Sequence, residues 1–546
     1  MSIEDPHITE RHRGTRDNRR TRFRLASGLI ALAALIIGAG SASATAGGNQ
    51  GPRPGLTVAT ADGTVRGKTT GTTDEFLGLP YAAPPVGPLR WQPPQPAASW
   101  QGVREATRFA PHCAQPASAF GVASTSEDCL YLNVFTPAGA GNDGRGLPVL
   151  VWIHGGAFNW GESDDYNPTA LVRHGVIVAT VNYRLGALGF LATPAIAQSQ
   201  GGSAGNYGLM DQQAALRWVQ ANIAGFGGDR DNVTVDGESS GGLSVLAQLA
   251  SPGSRGLFSR AIAESGAYDL TPQSLTAAED SGETFATSAG CASQTLACLD
   301  ALPVSTILAE ENPAGYRPDI DGRFLTRSPA AAFASGQFNR VPVIDGTNLD
   351  EYRLFVAIAQ LRGAPVVTAA NYQGEIAATL AVSAAQAATI AAQYPLNAYP
   401  DPSLALGAVG TDAIFACPAL SADEALSKYV PVYAYEFNDT NAPQRYLPPV
   451  GFPYGAAHES EVQYLFTLQN TANPGVLSAP QQQLAADMKQ YWTSFARHAV
   501  PSTATAELWP RFNDTSQQML SLNTPAPTME TGFAAEHDCA FWASLG

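Results

Sequence analysis

The chain has 546 residues, of which 45% are hydrophobic and 14% charged, and its formal net charge is −16. This composition indicates a globular protein that buries one large core or two smaller ones. The acidic balance argues against nucleic acid and anionic membrane surfaces as natural partners. The composition leaves the oligomeric state open.

The N-terminal segment has the features of a secretory signal peptide. Residues 1–24 contain seven arginines, Leu25 to Gly38 is a short apolar run, and Ala42-Ser43-Ala44 offers a small-residue cleavage site. The apolar run is shorter than the roughly 20 residues that a membrane-spanning helix needs. Arg19-Arg20 leaves both the Sec and the twin-arginine export routes open.

The rest of the chain shows no linker that would divide it and no apolar run that we expect to cross a bilayer. We therefore predict a secreted protein, extracellular or periplasmic, without stable membrane insertion. Its predicted parts are a signal peptide at 1–44, a flexible tail at 45–56 and one folded domain at 57–546.

Six cysteines follow the predicted signal peptide, namely Cys113, Cys129, Cys291, Cys298, Cys417 and Cys539. An even count in an oxidising compartment predicts three disulfides, with buried free thiols as the alternative. Six cysteines permit fifteen pairings, and spacing favours only the small loop from Cys291 to Cys298. No Cys/His cluster has zinc-ligand spacing, so we predict no metal site.

Short apolar runs alternate with helix-like segments along the domain. The proline-punctuated stretch Leu77 to Gly87 is predicted to be an irregular surface segment. An amphipathic helix is predicted at Asp211 to Ile223, and the alanine-rich residues 368–393 predict a helical insert that either packs on the sheet or covers the site. Strands are predicted at 127–135, 148–153, 175–181, 232–236, 261–263, 341–344 and 432–437. This alternation predicts an α/β fold, with a mostly parallel sheet covered by helices on both faces.

A tight turn between a predicted strand and helix carries the sequence Gly237-Glu238-Ser239-Ser240-Gly241. G-x-S-x-G in this context is a nucleophile elbow, which holds the serine hydroxyl out towards solvent. The start of the following helix presents unpaired N–H groups to a developing oxyanion. Ser239 is therefore the candidate nucleophile. Gly201 to Gly205 also matches the pattern, but no strand precedes it, so we interpret Ser203 as a loop residue.

A serine nucleophile needs a histidine base and an acid that orients the histidine. His458 follows a predicted strand and a Pro/Gly loop and is the candidate base. His154 precedes Gly155-Gly156-Ala157, where small residues let backbone N–H groups approach a substrate oxygen. Four other histidines lie among loop-like or surface-like residues, where solvated imidazoles are expected: His112, His174, His498 and His537.

Two adjacent carboxylates follow the predicted strand Val341 to Ile344, and the residues alone leave either Asp350 or Glu351 as the acid. The chain order of nucleophile, acid and base is that of α/β-hydrolases.

Six segments of the sequence have the character of family motifs. They are Phe76 to Ala82, Glu127 to Asn133, His154 to Phe158, Asn182 to Arg184, Gly237 to Gly242 and Gly455 to Glu461. Together they make the chain resemble the type-B carboxylesterases, a family that includes cholinesterases, bile-salt-type lipases and bacterial para-nitrobenzyl esterases. The resemblance runs from about Thr57 to Trp542 and is closest in motif to the para-nitrobenzyl type.

This resemblance implies the α/β-hydrolase fold and a role for each candidate residue. The implied catalytic triad is Ser239, Glu351 and His458, and the implied oxyanion hole consists of the N–H groups of Gly156, Ala157 and Ser240. The implied disulfides are Cys113–Cys129, Cys291–Cys298 and Cys417–Cys539. It also implies a structural salt bridge from Arg90 to Glu127, a place for Ser265 beneath the triad, and no metal or cofactor.

The sequence departs from the family pattern at three places. Ser240 stands where alanine is usual, and its side chain is expected to matter little because the oxyanion hole uses its N–H. Tyr352 replaces a common glycine after the acid. The loop from Gln115 to Asp128 lacks the tryptophan of the cholinesterases, whose aromatic face would hold a quaternary ammonium.

We therefore predict a serine carboxylic-ester hydrolase that acts on a small-molecule ester through an acyl-enzyme on Ser239. One alternative is a lipase or sterol esterase, which needs a wide apolar acyl groove. A second alternative, of another class, is a non-catalytic binding protein of the neuroligin kind. All three triad positions are present, which disfavours this second alternative.

Overall fold

The computed structural model describes residues 56–140, 146–311 and 316–545. The predicted signal peptide and residues 45–55 of the predicted tail lie outside the described residues. Everything described belongs to one compact unit, Pro52–Gly546.

An eleven-stranded sheet runs through the described residues. Its strands in chain order are β1 (Lys68–Thr70), β2 (Thr73–Pro80), β3 (Tyr131–Pro137), β4 (Leu147–Ile153), β5 (Ile177–Val181), β6 (Gly228–Glu238), β7 (Arg260–Glu264), β8 (Val343–Asn348), β9 (Val432–Phe437), β10 (Met519–Leu522) and β11 (Thr528–Glu530). Their order across the sheet is β11-β10-β9-β8-β7-β6-β4-β5-β3-β2-β1. Neighbouring strands from β10 to β5 are parallel, and the strands beyond them on either side are antiparallel.

Helices occupy most of the connections between these strands. In chain order they are α1 (Thr169–Val172), α2 (Gly186–Phe190), α3 (Pro194–Ser199), α4 (Tyr207–Asn222), α5 (Ser240–Ala250), α6 (Leu275–Ser288), α7 (Leu296–Asp300), α8 (Val304–Glu310), α9 (Pro329–Ser335), α10 (Arg353–Leu361), α11 (Tyr372–Leu380), α12 (Ala384–Gln393), α13 (Pro402–Gly410), α14 (Cys417–Ser427), α15 (Val462–Leu465), α16 (Ala479–His498), α17 (Phe533–Glu536) and α18 (Cys539–Leu545). A π-helical turn, Thr411–Ala416, joins α13 to α14.

Strand β4 shows how the sheet divides the core. Val149 and Val151 belong to the core that also contains residues of α4 and α5, whereas Leu150 and Trp152 belong to a second core that contains residues of α16. Successive side chains of a strand point to opposite faces, so both faces of the sheet are buried beneath helices. The predicted α/β architecture is confirmed.

The prediction was wrong for Leu77 to Pro80. These residues form the end of β2, and all but Gly78 are buried. A proline is tolerated there because β1 pairs with Thr73 to Glu75, which leaves Pro80 beyond the paired stretch on that side of the strand. The irregular segment therefore begins only at Tyr81.

The alanine-rich insert forms α11 and α12, which meet at a break around Ala381. Ala381 has a left-handed backbone (φ 52°), and Ser383 caps α12 through a capping box with Gln386. Tyr372 and Ile376 of α11 are buried in a third core shared with α10 and α13. This burial supports the interpretation of the insert as packing.

One helical stretch of the described residues is long and apolar enough to span a bilayer, contrary to our expectation from the sequence. It is Pro402–Ser427, and 78% of its apolar window is buried inside the protein. Helix α11 and the residues from Ala384 to Ala398 are long and apolar enough only when they are taken together as one span. The two segments are bent by 112° at the break between them. Buried core helices share this composition with membrane spans.

The structure contains the three disulfides that the resemblance implied. Cys113–Cys129 closes a loop over 16 residues, Cys291–Cys298 over 7 and Cys417–Cys539 over 122. The third disulfide joins α14 to α18.

Removing the Cys417–Cys539 disulfide is expected to cost more stability than removing Cys291–Cys298. A disulfide lowers the entropy of the unfolded chain more when it closes a longer loop, which gives about 5 kcal/mol for the long loop and about 2 kcal/mol for the short one. Urea unfolding of the double serine variants measures both losses. Equal losses of unfolding free energy in the two variants would contradict the prediction that the length of the closed loop determines the effect.

His537 is buried, so the prediction of a solvated imidazole was wrong for this residue. Its Nδ1 lies 2.6 Å from Asp412 Oδ1 and its Nε2 lies 2.6 Å from Glu436 Oε1. Although burial opposes the charge, these two carboxylates raise the pKa of His537 to about 10. The imidazolium therefore links the π-helical turn to β9.

This ion triad predicts a loss of stability in alkali. The folded chain keeps the His537 proton up to about pH 10, whereas unfolded histidine loses it near 6.5. The stabilisation is therefore complete below pH 6.5 and is lost as pH rises through 10. Burial raises the pKa of Asp412, and this shift offsets part of the stabilisation. The remaining contribution to the free energy of unfolding is on the order of 2 to 4 kcal/mol. The free energy of unfolding, measured from pH 6 to 10, should fall less in His537→Gln than in the wild type.

Candidate active site

Ser239 lies between the end of β6 and the start of α5 in a strained left-handed conformation, with φ 58° and ψ −123°. Its N–H donates to Glu264 O at the end of β7, at 2.8 Å. A Cβ on Gly241 would overlap Ile153 O at the end of β4, so only glycine lets the helix start this close to the sheet. Ser239 is half-buried while both of its neighbours are buried, so the turn keeps this serine accessible.

The triad candidates Glu351 and His458 are joined by a direct hydrogen bond. His458 Nδ1 lies 2.6 Å from Glu351 Oε2. The other carboxylate oxygen accepts from Thr347 Oγ1 and Asn348 N, both at 2.8 Å. Glu351 is fully buried. Three donors therefore hold this carboxylate at the ring nitrogen that an orienting acid must contact.

Asp350, the other candidate acid, points to different partners. It pairs with Arg353 at 2.6 Å and accepts from Ala456 N at 2.9 Å. These contacts hold the loop that carries His458 without touching its ring. The geometry therefore favours Glu351 as the acid.

Aromatic rings fix the other side of the histidine. Phe355 from α10 and Phe415 from the π-helical turn each lie 5.1 Å from the ring of His458. His458 Nε2 makes no hydrogen bond to another described residue. The nearest carboxylate oxygen is Glu238 Oε1, at 3.3 Å. Burial raises the pKa of Glu238 well above its usual range, which favours its uncharged form.

The predicted oxyanion loop follows β4 and has a run of left-handed residues: Gly156 (φ 106°), Ala157 (φ 53°) and Phe158 (φ 60°). Phe158 N donates to Ser240 Oγ at 3.2 Å. The side chain of Ser240 therefore ties the oxyanion loop to the elbow. Sequence reasoning missed this contact because it considered only the Ser240 N–H.

His154, which precedes this loop, is 1% exposed and stacks on Tyr183 at 4.5 Å. Burial lowers the pKa of His154 to about 4, so its ring is neutral at pH 7. Its Nδ1 contacts Gly155 O at 2.8 Å. His154 therefore supports the loop and leaves His458 as the base candidate.

A cavity of about 270 Å³ brings the predicted residues together. Ser239, His458, Gly156 and Ala157 all line it, and Leu354, Phe355 and Ile358 of α10 supply apolar walls. The candidate nucleophile, the candidate base and the predicted oxyanion loop therefore face one space that can hold an ester carbonyl. A larger cavity of about 650 Å³, beside the Cys417–Cys539 disulfide, is lined by other residues.

The remaining predicted residues lie outside this cavity. Arg90 and Glu127 form a two-pronged salt bridge with both distances 2.6 Å. Ser265 follows β7, has φ 51° and donates its N–H to Gly346 O at 2.8 Å, while its buried hydroxyl makes no hydrogen bond with a described residue. Ser203 is buried in a loop and donates to Asp321 at 2.8 Å.

One group of acidic side chains among the described residues is close enough to share a metal ion: Glu436, Glu530 and Glu536. Both oxygens of Glu436 already accept hydrogen bonds, from His537 and Asn438. None of these three residues lines the cavity that Ser239 lines.

A model of the carboxylesterase family matches residues 54–542. The chain belongs to the carboxylesterase family. It is 36% identical over 479 residues to the fumonisin B1 esterase of Sphingopyxis macrogoltabida, covering 84% of this chain and 85% of that protein. It is 34% identical over 511 residues to the cocaine esterase of Homo sapiens, covering 88% of each chain.

The chain is also similar to a bacterial para-nitrobenzyl esterase and to a solved PNB esterase structure. This carboxylesterase is 33% identical over 490 residues to the para-nitrobenzyl esterase of Bacillus subtilis (strain 168), covering 86% of this chain and 94% of that protein. A solved PNB esterase structure matches with a TM-score of 0.73 at 32% identity, covering 88% of this chain and 98% of that one. The protein is a carboxylic-ester hydrolase with the α/β-hydrolase fold.

Proposed function

We propose that this carboxylesterase hydrolyses small esters through an acyl-enzyme on Ser239. The observation that carries the proposal is the Glu351–His458 hydrogen bond, whose histidine lines the same cavity as the strained Ser239. His458 takes the hydroxyl proton of Ser239, whose oxygen attacks the ester carbonyl. The alcohol leaves with that proton, and water then releases the acid by the same route.

The developing oxyanion is stabilised by backbone N–H groups of Gly156, Ala157 and Ser240 in this proposal. The first two lie on the left-handed loop after β4, and the third begins α5, where the helix dipole is positive. Glu351 orients His458 and stabilises its imidazolium. Since only neutral imidazole accepts the proton, the rate should fall in acid.

The cavity favours short or medium acyl chains. Its volume of about 270 Å³ is slightly below the usual range of small-molecule sites, and its apolar walls come from α10, Phe120, Trp160 and the oxyanion loop. The insert α11–α12 contributes to the third core and to none of these walls. The lipase alternative, which needs a wide groove under a cover, is therefore less favoured.

We also propose that the protein is exported, with residues 1–44 as its signal peptide. Three disulfides among the described residues support an oxidising compartment. N-terminal sequencing of protein recovered from the medium or periplasm should begin after Ala44. Recovery of the uncleaved chain in the cytoplasm alone would contradict export.

Rates on 4-nitrophenyl esters from acetate to palmitate test the proposed substrate range. We expect kcat/KM to be highest for short or medium chains and to fall for long chains that exceed the cavity. An optimum at palmitate would instead support the lipase alternative.

A further inference from the structure

A second cavity, of about 260 Å³, adjoins the one that Ser239 lines. The two share the residues Phe120, Trp160, Ile358 and Arg362. Arg362 therefore lies where the two cavities adjoin and is part of the lining of the first. A substrate that fills the first cavity therefore extends towards Arg362.

Arg362 makes no ion pair with any residue that the structure describes. Its guanidinium carbon lies 5.5 Å from the ring centroid of Trp160, and the side chain is exposed. Arg353, at the other end of the same helix, is instead paired with Asp350 at 2.6 Å. The guanidinium of Arg362 is thus free to bind an anion.

Two acids line the first cavity together with Arg362. They are Glu238 and Glu459, and burial raises the pKa of both well above their usual range. Burial therefore opposes the negative charge that either acid could set against Arg362. In a chain of net charge −16, Arg362 is thus a cation without an ion pair beside largely apolar cavity walls.

Helix α10 sets the distance between the chemistry and this charge. Phe355, Ile358 and Arg362 follow one another at intervals of three and four residues and therefore share a face. Phe355 packs on His458, and seven residues at 1.5 Å each place Arg362 about 10 Å further along the helix. A ligand that reaches both ends needs an apolar spacer of medium length.

We propose that Arg362 is a specificity residue that binds a carboxylate at the far end of the acyl chain, so that the enzyme prefers half-esters of dicarboxylic acids. The guanidinium offers a planar fork of donors that matches a carboxylate. This inference rests on the proposed function, because it takes Ser239 as the point of attack.

The test compares two esters of similar length, mono-4-nitrophenyl suberate and neutral 4-nitrophenyl octanoate. We expect the wild type to prefer the suberate, and Arg362→Gln to lower the suberate-to-octanoate ratio of kcat/KM about tenfold, mainly through KM. Arg362→Lys should restore part of the ratio, since it keeps the charge without the fork. Added salt should lower the wild-type ratio.

Arg173→Gln is the matched control, because Arg173 is exposed, also follows the last residue of a helix, and lines neither cavity. An unchanged ratio in Arg362→Gln, or an equal fall in Arg173→Gln, would overturn the proposal. Octanoate hydrolysis that persists in Ser239→Ala would instead refute the proposed function. A third outcome is that octanoate hydrolysis requires Ser239 while the suberate-to-octanoate ratio of kcat/KM does not depend on Arg362. This outcome would refute the carboxylate site and leave the proposed function intact.

Discussion

Ser239→Ala is expected to lower kcat for 4-nitrophenyl butyrate by at least about three orders of magnitude. The change removes the oxygen that forms the acyl-enzyme and leaves only the oxyanion donors and substrate binding. The left-handed backbone at this position is held by neighbouring strands, so the fold should persist. Steady-state release of 4-nitrophenolate measures the loss, and circular dichroism checks the fold.

Ser203→Ala is the matched control for this variant. Ser203 lies in the chain's other G-x-S-x-G match, but its hydroxyl donates to Asp321 in a buried loop. Loss of this hydrogen bond is expected to lower the thermal stability slightly, while kcat per folded molecule should stay within about threefold. Equal losses of kcat in the two variants would refute the assignment of the elbow.

Glu351→Gln is expected to lower kcat by about three to four orders of magnitude. The carboxylate accepts from His458 Nδ1 and from two further donors in a fully buried position. An amide removes the negative charge that stabilises the imidazolium, and it allows the wrong tautomer of His458. Steady-state kinetics with the same ester measure the loss.

Asp350→Asn is the control for the acid, since Asp350 is the adjacent carboxylate. It contacts Arg353 and Ala456 N rather than the ring of His458. We expect kcat to fall by less than about tenfold, through a looser histidine loop. A loss as large as that of Glu351→Gln would contradict the choice between the two acids.

The parts of the site that the sequence predicts are those set by local chain geometry. The elbow around Ser239 needs a strand, small residues and a helix within a few positions, and the structure has all of them. The strand Val432–Phe437 was likewise predicted with its observed bounds. Choosing Glu351 over Asp350 required the family resemblance, because both carboxylates follow the same strand.

The features that escaped prediction depend on contacts between distant segments. His537 is buried because Asp412 and Glu436 enclose it, and both lie more than 100 positions earlier in the chain. The hydroxyl of Ser240 meets Phe158 N only after β4 and β6 are paired. Arg362 lines two cavities because the end of α10 lies against both of them. No pattern of neighbouring residues in the sequence predicts these contacts.

The measurement that tests the central claim most directly is labelling with a fluorophosphonate, followed by peptide mass mapping. This reagent phosphonylates an activated serine and mimics the tetrahedral intermediate. We expect one adduct, on Ser239, formed in step with the loss of esterase activity and absent from Ser239→Ala. An adduct on Ser203, or full ester hydrolysis by an unlabelled enzyme after treatment, would contradict the acyl-enzyme mechanism.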